Sequence, residues 1–320
     1  MDKDKYRELC KEEKTIPIFQ KDWWMDAVSI DGDWDVKLYE TGGEIVGALV
    51  YYTTERAYKK VVTLPPLTQK NGIWIRYPQN QKLATKIAHE NRVIKELLNQ
   101  LEEEKLYSYN QNFDYRYKNW YEYYWRGYNQ TTRYTYVIED LTDLKKVYDN
   151  FDSNLRRNIR NAEKVVEVRR GLDIGEFYEL VKETYKRQNM KVPYSMEVMR
   201  KVEENCSSRN CREIFYAIDK EGNIHSAIYI VWDDESAYYI IAGSKPKFGN
   251  SQATSLLIWK AIEYSASYVK KFDFEGSMMK NIERFFRSYG GTPKEYFSIN
   301  KIYKYDYIYE LLRYFYKKYK

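Results

Sequence analysis

The residues best equipped for chemistry lie between positions 270 and 301, KKFDFEGSMMKNIERFFRSYGGTPKEYFSINK. Asp273 and Glu275 alternate with Phe272 and Phe274, the period-2 pattern of a strand that buries its aromatics on one face and shows two carboxylates on the other. Gly276-Ser277 ends that strand. Residues 279–289 then predict a short helix, with Ile282, Phe285, Phe286 and Tyr289 on one stripe and Arg284, Arg287 and Ser288 off it. Gly290-Gly291 and Pro293 stop the helix, and residues 294–301 alternate again as a returning strand. A strand-end carboxylate beside a basic helix suits removal of a proton from an amine while a cation holds a developing oxyanion. The same residue types also describe an edge strand with a solvated acidic face and a helix that merely packs the core. Both readings stand on the residues alone.

The elements around this stretch are read from periodicity. Residues 34–40 and 44–52 alternate about Gly42-Gly43, a hairpin signature, and residues 58–63 add a strand. Residues 64–69 break into a loop holding Thr68 and Gln69. Residues 80–106 are helical, with Leu83, Ile87, Val93, Leu97, Leu98 and Leu101 as the apolar face. Residues 16–28 give a strand end and a helix with Trp23 and Trp24, which act as core anchors or, together with Gln20, line a substrate groove. Residues 107–138 are dense in tyrosine and tryptophan, serving as packing or as stacking surfaces for sugars or bases. Helices follow at 154–164, with Arg156, Arg157, Arg160 and Lys164 on the polar side, and at 176–188, ending in Arg187-Gln188.

The second half echoes the first: residues 43–49 align with 222–228, and Ala57-Tyr58 with Ala237-Tyr238. Hairpin, loop and long helix, occurring twice, predict a mixed α/β protein of two domains, residues 1–150 and 151–320, each a central mixed sheet flanked by helices. The second loop, residues 243–251, carries Lys245 and Lys247.

Composition bounds the partners. The chain has 320 residues, 43% of them hydrophobic, with 35 Tyr, 12 Phe and 8 Trp, so burial relies on aromatic rings. A formal net charge of +6 favours an anionic partner. Three cysteines and two histidines argue against a metal centre and against a Ser-His-Asp machine, and fit a reducing compartment. With no signal-peptide core and no run of about 18 apolar residues, the expected location is the cytoplasm. Residues 301–320 predict a basic amphipathic helix that packs on the second domain or docks on an anionic membrane.

The run Phe272-Asp273-Phe274-Glu275-Gly276-Ser277, followed by Phe286-Arg287-Ser288-Tyr289-Gly290-Gly291, resembles the C-terminal domain of Fem-type aminoacyltransferases and related GNAT-superfamily acyltransferases. The helix Arg156 to Lys164 is similar to the one that opens their second domain. The resemblance implies tandem GNAT-like domains and acyl transfer without a permanently bound cofactor, acyl-CoA or aminoacyl-tRNA being the donor substrate. The implied acceptor is an amine or hydroxyl of a nucleotide- or lipid-linked sugar or peptide precursor of the cell envelope or a polysaccharide. Asp273 or Glu275 would be the base or acceptor anchor, Arg287, where relatives usually carry lysine, would hold the carbonyl oxygen, and Phe286 would wall the donor. Gln20, Trp23, Trp24, Thr68, Gln69, Arg187, Gln188, Lys245 and Lys247 are the expected substrate-binding residues. Two other readings remain: a non-catalytic tandem GNAT-like protein that binds a nucleotide-sugar or partner enzyme, and tRNA binding through the aromatic segment.

Overall fold

The computed structural model describes residues 2–56 and 58–303. The chain divides into two compact units, residues 1–132 with the described residues from Tyr296 on, and Arg133–Glu295.

The first unit contains α1 (Asp2–Glu12), α2 (Asp22–Val28), β1 (Asp33–Thr41), β2 (Glu44–Arg56), β3 (Lys59–Thr63), β4 (Gly72–Ile75), α3 (Leu83–Glu103), β5 (Ser108–Asn112) and α4 (Tyr121–Trp125). Its strands run β1-β2-β3-β5, with β4 also paired to β2. The Gly42-Gly43 hairpin forms as the alternation predicts, with both glycines at positive φ. Helix α3 buries Val93, Ile94, Leu97, Leu98 and Leu101. Leu83, expected on that face, is 73% exposed because it begins the helix before the stripe meets the sheet. Helix α1 was not anticipated. Tyr6, Leu9 and Cys10 give it a buried stripe at i, i+3 and i+4, hidden in the sequence by the charged residues around it.

The division between the units falls within β6 (Asn129–Ile138). The second unit goes on with α5 (Leu144–Asp149), α6 (Ser153–Ala162), β7 (Glu167–Arg170), α7 (Ile174–Arg187), α8 (Met196–Ser207), β8 (Arg212–Ile218), β9 (Ile224–Trp232), β10 (Ser236–Ser244), α9 (Ala253–Ser265), β11 (Lys271–Asp273) and α10 (Lys280–Arg287), followed by β12 (Thr292–Ile302). The sheet order is β6-β11-β10-β9-β8-β7. Position 150 is therefore not a structural divide. Ile138 of β6 pairs with Phe272, and Leu141, Val147 and Phe151 belong to the same core as Trp259, Phe272 and Tyr289.

Strand β9 shows why this sheet carries helices on both faces. Ile228 and Ile230 enter the core that includes Leu256, Leu257 and Ile262 of α9, while Tyr229 meets Phe177 of α7 and donates to Glu203 of α8 at 3.0 Å. Hairpins recur in both units, but the proposed alignment slips: Tyr58 occupies a turn at φ +58, whereas Tyr238 lies inside β10. The predicted helix at 301–320 falls, from 304 onward, outside the described residues, and Lys301 is in β12.

The turn between β8 and β9 is closed by Asp219. Its carboxylate accepts from the Asn223 N–H at 2.7 Å, from Asn223 Nδ2 at 2.9 Å, and lies 3.0 Å from His225 Nε2. Desolvation pushes this carboxyl up, but the bonds from Asn223 and His225 prevail and hold it at about 2. An unfolded aspartate titrates near about 3.9, so Asp219 contributes stability above that pH, and the contribution fades as pH falls through about 2. Asp219→Asn is expected to be less stable than wild type at neutral pH, with the gap closing between about pH 4 and pH 2. Denaturant midpoints measured across that range check it, and a pH-independent gap would contradict it.

Candidate functional site

Strands β10 and β11 part within the second unit. They pair in parallel at Ser236↔Lys271, Ala237↔Phe272 and Tyr238↔Asp273, after which β11 stops while β10 continues to Ser244. On its other side β10 shifts register against β9 between Tyr239 and Ile241, a bulge that leaves Ile240 as the extra residue and adds twist.

Asp273 turns β11 away. It accepts from the Glu275 N–H at 2.8 Å and from Thr135 Oγ1 at 2.6 Å. Glu275 and Gly276 both lie in the left-handed region, at φ +59 and +69. Asp273 is 0% exposed and Glu275 2%, so the expected solvent-facing acidic strand is corrected. β11 lies between β10 and β6 instead of beside the returning strand, so both of its edges are paired, and Phe272 and Asp273, on opposite faces, are both 0% exposed. Thr135→Val keeps the side-chain shape but removes one donor from a buried carboxylate, which is expected to cost about 2 kcal/mol. Urea unfolding checks it, and a change within about 0.5 kcal/mol, typical of surface substitutions, would contradict it.

Beyond the turn, α10 presents two faces. Phe286 points inward, 5.3 Å from Phe274 and 5.6 Å from Tyr239 between ring centroids. On the other side Asn281, Arg284, Phe285, Arg287 and Ser288 line a cavity of about 780 Å³. Asn154, Leu155 and Asn158 of α6 close it from one direction, and Gln252 and Ser255 at the start of α9 from another. Gln252 is left-handed at φ +59 and its side chain does not cap the helix. Because Gln252 and Ser255 line this space, the 13-residue α9 meets it with the positive end of its dipole, although Ser251 Oγ accepts from the Ala253 N–H at 3.4 Å and the Gln252 carbonyl from the Ser255 N–H at 3.0 Å.

The cavity is electropositive. Arg284 and Arg287 stand in it against a single carboxylate among its lining residues, Asp152, which caps α6 by accepting from the Asn154 N–H at 2.8 Å. Arg287 Nε donates to Glu283 at 2.9 Å, and Glu283 accepts from the Tyr136 hydroxyl at 2.6 Å. Those two partners, Tyr136 first, hold the Glu283 carboxyl below its ordinary range. Burial, and then the bond to Glu283, pushes the Tyr136 hydroxyl up to about 12. Two guanidinium groups, five side-chain amides (Asn150, Asn154, Asn158, Gln252 and Asn281) and a helix N-terminus suit a phosphate-bearing ligand.

A family model for an acetyltransferase (GNAT) domain matches residues 149–287. Residues 149–287 are a GNAT domain. No curated protein is similar in sequence, but solved structures share the fold across nearly the whole chain. The crystal structure of FemX is similar over 93% of this chain and 96% of its own, at TM-score 0.71 and 11% identity. The C-terminal domain of a putative lysylphosphatidylglycerol synthetase from Agrobacterium fabrum covers 93% and 92%, at TM-score 0.58 and 8% identity. A tandem GNAT protein from the clavulanic acid biosynthesis pathway covers 94% of each chain, at TM-score 0.52 and 12% identity. At these identities the likeness is one of fold: Fem-like, with tandem GNAT-like units.

The GNAT domain holds some of the expected residues together and separates others. Arg287 lines the cavity, whereas Asp273, Glu275 and Phe286 are buried and do not. Lys245 and Lys247 lie on the approach to α9 but outside the cavity lining; the Lys245 N–H donates to the His225 carbonyl, and the Lys247 ammonium sits 5.3 Å over Phe248. Arg187 and Gln188 are exposed at the end of α7. Gln20, Trp23, Trp24, Thr68 and Gln69 belong to the first unit, where Trp24 Nε1 donates to Thr68 Oγ1 at 3.0 Å and Asn112 Nδ2 donates to the Gln69 carbonyl at 2.9 Å. Gln20 is 1% exposed, with Nε2 3.5 Å from the Ile73 carbonyl. Sequence reasoning missed Arg284, Asn281, Asn154, Asn158, Gln252 and Ser255. The usable signal was polar spacing: Asn281, Arg284 and Arg287 at steps of three, and Asn154 and Asn158 at i, i+4 on one helix face. Among the described residues no cluster of three or more His, Cys, Asp or Glu is placed to hold a metal ion, and no helix is long and apolar enough to cross a membrane.

Proposed function

We propose that this protein is an acyltransferase whose GNAT domain binds an activated, phosphate-bearing donor in the cavity between α6, α9 and α10. The donor is an aminoacyl-tRNA or an acyl-CoA, used in the cytoplasm. The observation that carries this reading is the convergence of Arg284 and Arg287 with the N-terminal turn of α9. Phosphate oxygens would sit against the guanidinium groups and the first amides of α9. The acyl chain would run toward the edge of β10 that β11 leaves after Tyr238, where backbone N–H groups facing away from β9 would hold a carbonyl oxygen.

The reaction is direct attack. The acceptor amine or hydroxyl adds to the donor carbonyl, the bond to the donor's sulfur or ribose oxygen breaks, and the acceptor's proton leaves to a base or to water. Asp273, fixed by Thr135 and by the Glu275 amide, would act by holding the turn that separates the strands. Glu275 follows as the carboxylate nearest in sequence to the opening. The Fem-like fold and the likeness to a domain of a putative lysylphosphatidylglycerol synthetase support a lipid- or nucleotide-linked envelope precursor as acceptor.

The test offers the purified chain acetyl-CoA, other CoA thioesters and aminoacyl-tRNA, following thermal stability and then transfer of labelled acyl group to an amine acceptor. A true donor at about 100 times its Kd stabilises the fold by about 2.7 kcal/mol. One donor class raising Tm and supporting transfer is expected. Absence of both for every donor would overturn the reading.

A further inference from the structure

Two of the three cysteines meet at the end of α8, far in sequence from the cavity residues. The Asn210 N–H donates to the Ser207 carbonyl at 3.0 Å and the Cys211 N–H to the Cys206 carbonyl at 3.1 Å, with Asn210 left-handed at φ +51. Those paired bonds are a Schellman cap, a motif that usually brings two apolar side chains together at its first and last positions. Here both positions are cysteine. The Cys211 thiol donates to the Cys206 carbonyl at 3.5 Å.

We propose that Cys206 and Cys211 form an oxidisable dithiol, with Cys211 as the peroxide-reactive thiol and Cys206 as the thiol that resolves it into an intramolecular disulfide. The cap turns the chain back so that the Cys211 N–H and Sγ lie 3.1 Å and 3.5 Å from the Cys206 carbonyl, and a disulfide asks of such a pair Cα atoms roughly 4.4–6.8 Å apart. Access is asymmetric: Cys206 is fully buried, while Cys211 is half-buried at the start of β8. Chemistry is asymmetric in the same sense. The hydrogen bond from Cys206, with Arg209 adding to it, lowers the Cys211 thiol, whereas burial raises that of Cys206. A lowered, accessible thiol beside a resolving one is the arrangement that reacts with oxidant.

The reaction balances with hydrogen peroxide as oxidant. The Cys211 thiolate attacks one peroxide oxygen, the O–O bond breaks, and the leaving hydroxide takes a proton to become water. The Cys206 sulfur then loses its proton and attacks the sulfenic sulfur of Cys211. An S–S bond forms, the S–O bond breaks, and a second water departs. Two thiols give up two electrons and one peroxide becomes two waters. A dithiol reductant reverses the cross-link.

The experiment treats the full chain with a small molar excess of hydrogen peroxide and reads intact mass and peptide masses. Expected is the loss of two hydrogens, a linked peptide joining Cys206 to Cys211, and return to the starting mass with dithiothreitol. Cys10 supplies an internal control: burial pushes its thiol up to about 12, and it should stay reduced. In Cys206→Ser, Cys211 is expected to stop at the sulfenic acid and take up dimedone; Cys206→Ala serves if serine disturbs the core. Wild type that accumulates dimedone-labelled Cys211, forms only intermolecular disulfides, or consumes peroxide at Cys10 first would overturn the proposal. So would inertness of all three thiols.

Discussion

Replacing Arg284 and Arg287 together with alanine is expected to weaken binding of the phosphate-bearing donor by about 100-fold, while the fold keeps its stability. Both arginines are exposed, the Arg287 side chain at 61%, so solvent screens each contact with the donor. About a factor of ten is expected from each guanidinium, and the two combine with some coupling because they lie three residues apart on α10. Stability should hardly move, since the ion pair lost, Arg287 with Glu283, is a surface pair. Because these groups would grip the donor's phosphates equally in ground and transition states, KM should rise with kcat nearly unchanged. Added salt should reproduce part of the loss in wild type. A fall in kcat at constant KM would instead place Arg287 at the carbonyl oxygen, the role that the sequence resemblance suggested for it.

Gly276→Ala is expected to be the most damaging single methyl addition in the GNAT domain, at about 3 kcal/mol. Left-handed backbone costs a non-glycine residue about 1–2 kcal/mol, and Gly276 lies at φ +69. A Cβ there would stand 2.3 Å from the Tyr134 carbonyl oxygen and 2.9 Å from Thr135 Cα. Both are backbone of β6, so no side chain can swing aside, and forced overpacking adds about 1–3 kcal/mol. Gly171→Ala separates the two contributions. Gly171 has φ +78 but nothing within 4 Å of the added methyl, so only the conformational cost of about 1 kcal/mol applies. Urea unfolding of the pair measures the difference, and equal losses would show that β6 does not press on the turn.

The turn at Gly276 also marks what could be read from the sequence and what could not. Alternation at Phe272–Glu275, the stripe on α10 and the glycines after it were legible because local periodicity sets local structure. That Asp273 and Glu275 are buried was not, since alternation reveals two faces without saying whether both are covered. That depends on what the rest of the chain packs above and below β11, and residues of both faces are buried. Phe286 and Arg287 were read together as a motif, but adjacent helix residues point in different directions, and the structure sends one to the core and the other to the cavity. The cavity itself draws on positions 150–158, 252–255 and 281–288. Nothing local announces that such distant segments converge. Tryptophans 23 and 24 and Thr68 carried a similar ambiguity, and the 3.0 Å bond between the Trp24 indole and Thr68 shows their grouping without assigning them a ligand.

The account depends on donor phosphate being held between α9 and α10, and hydrogen exchange of the full chain with and without saturating donor tests that most directly. Bound donor should slow exchange at residues 252–256 and 281–288, with no comparable change along α1 and α2. Donor that binds and supports acyl transfer while leaving both segments unprotected, and protects residues of the first unit instead, would contradict it.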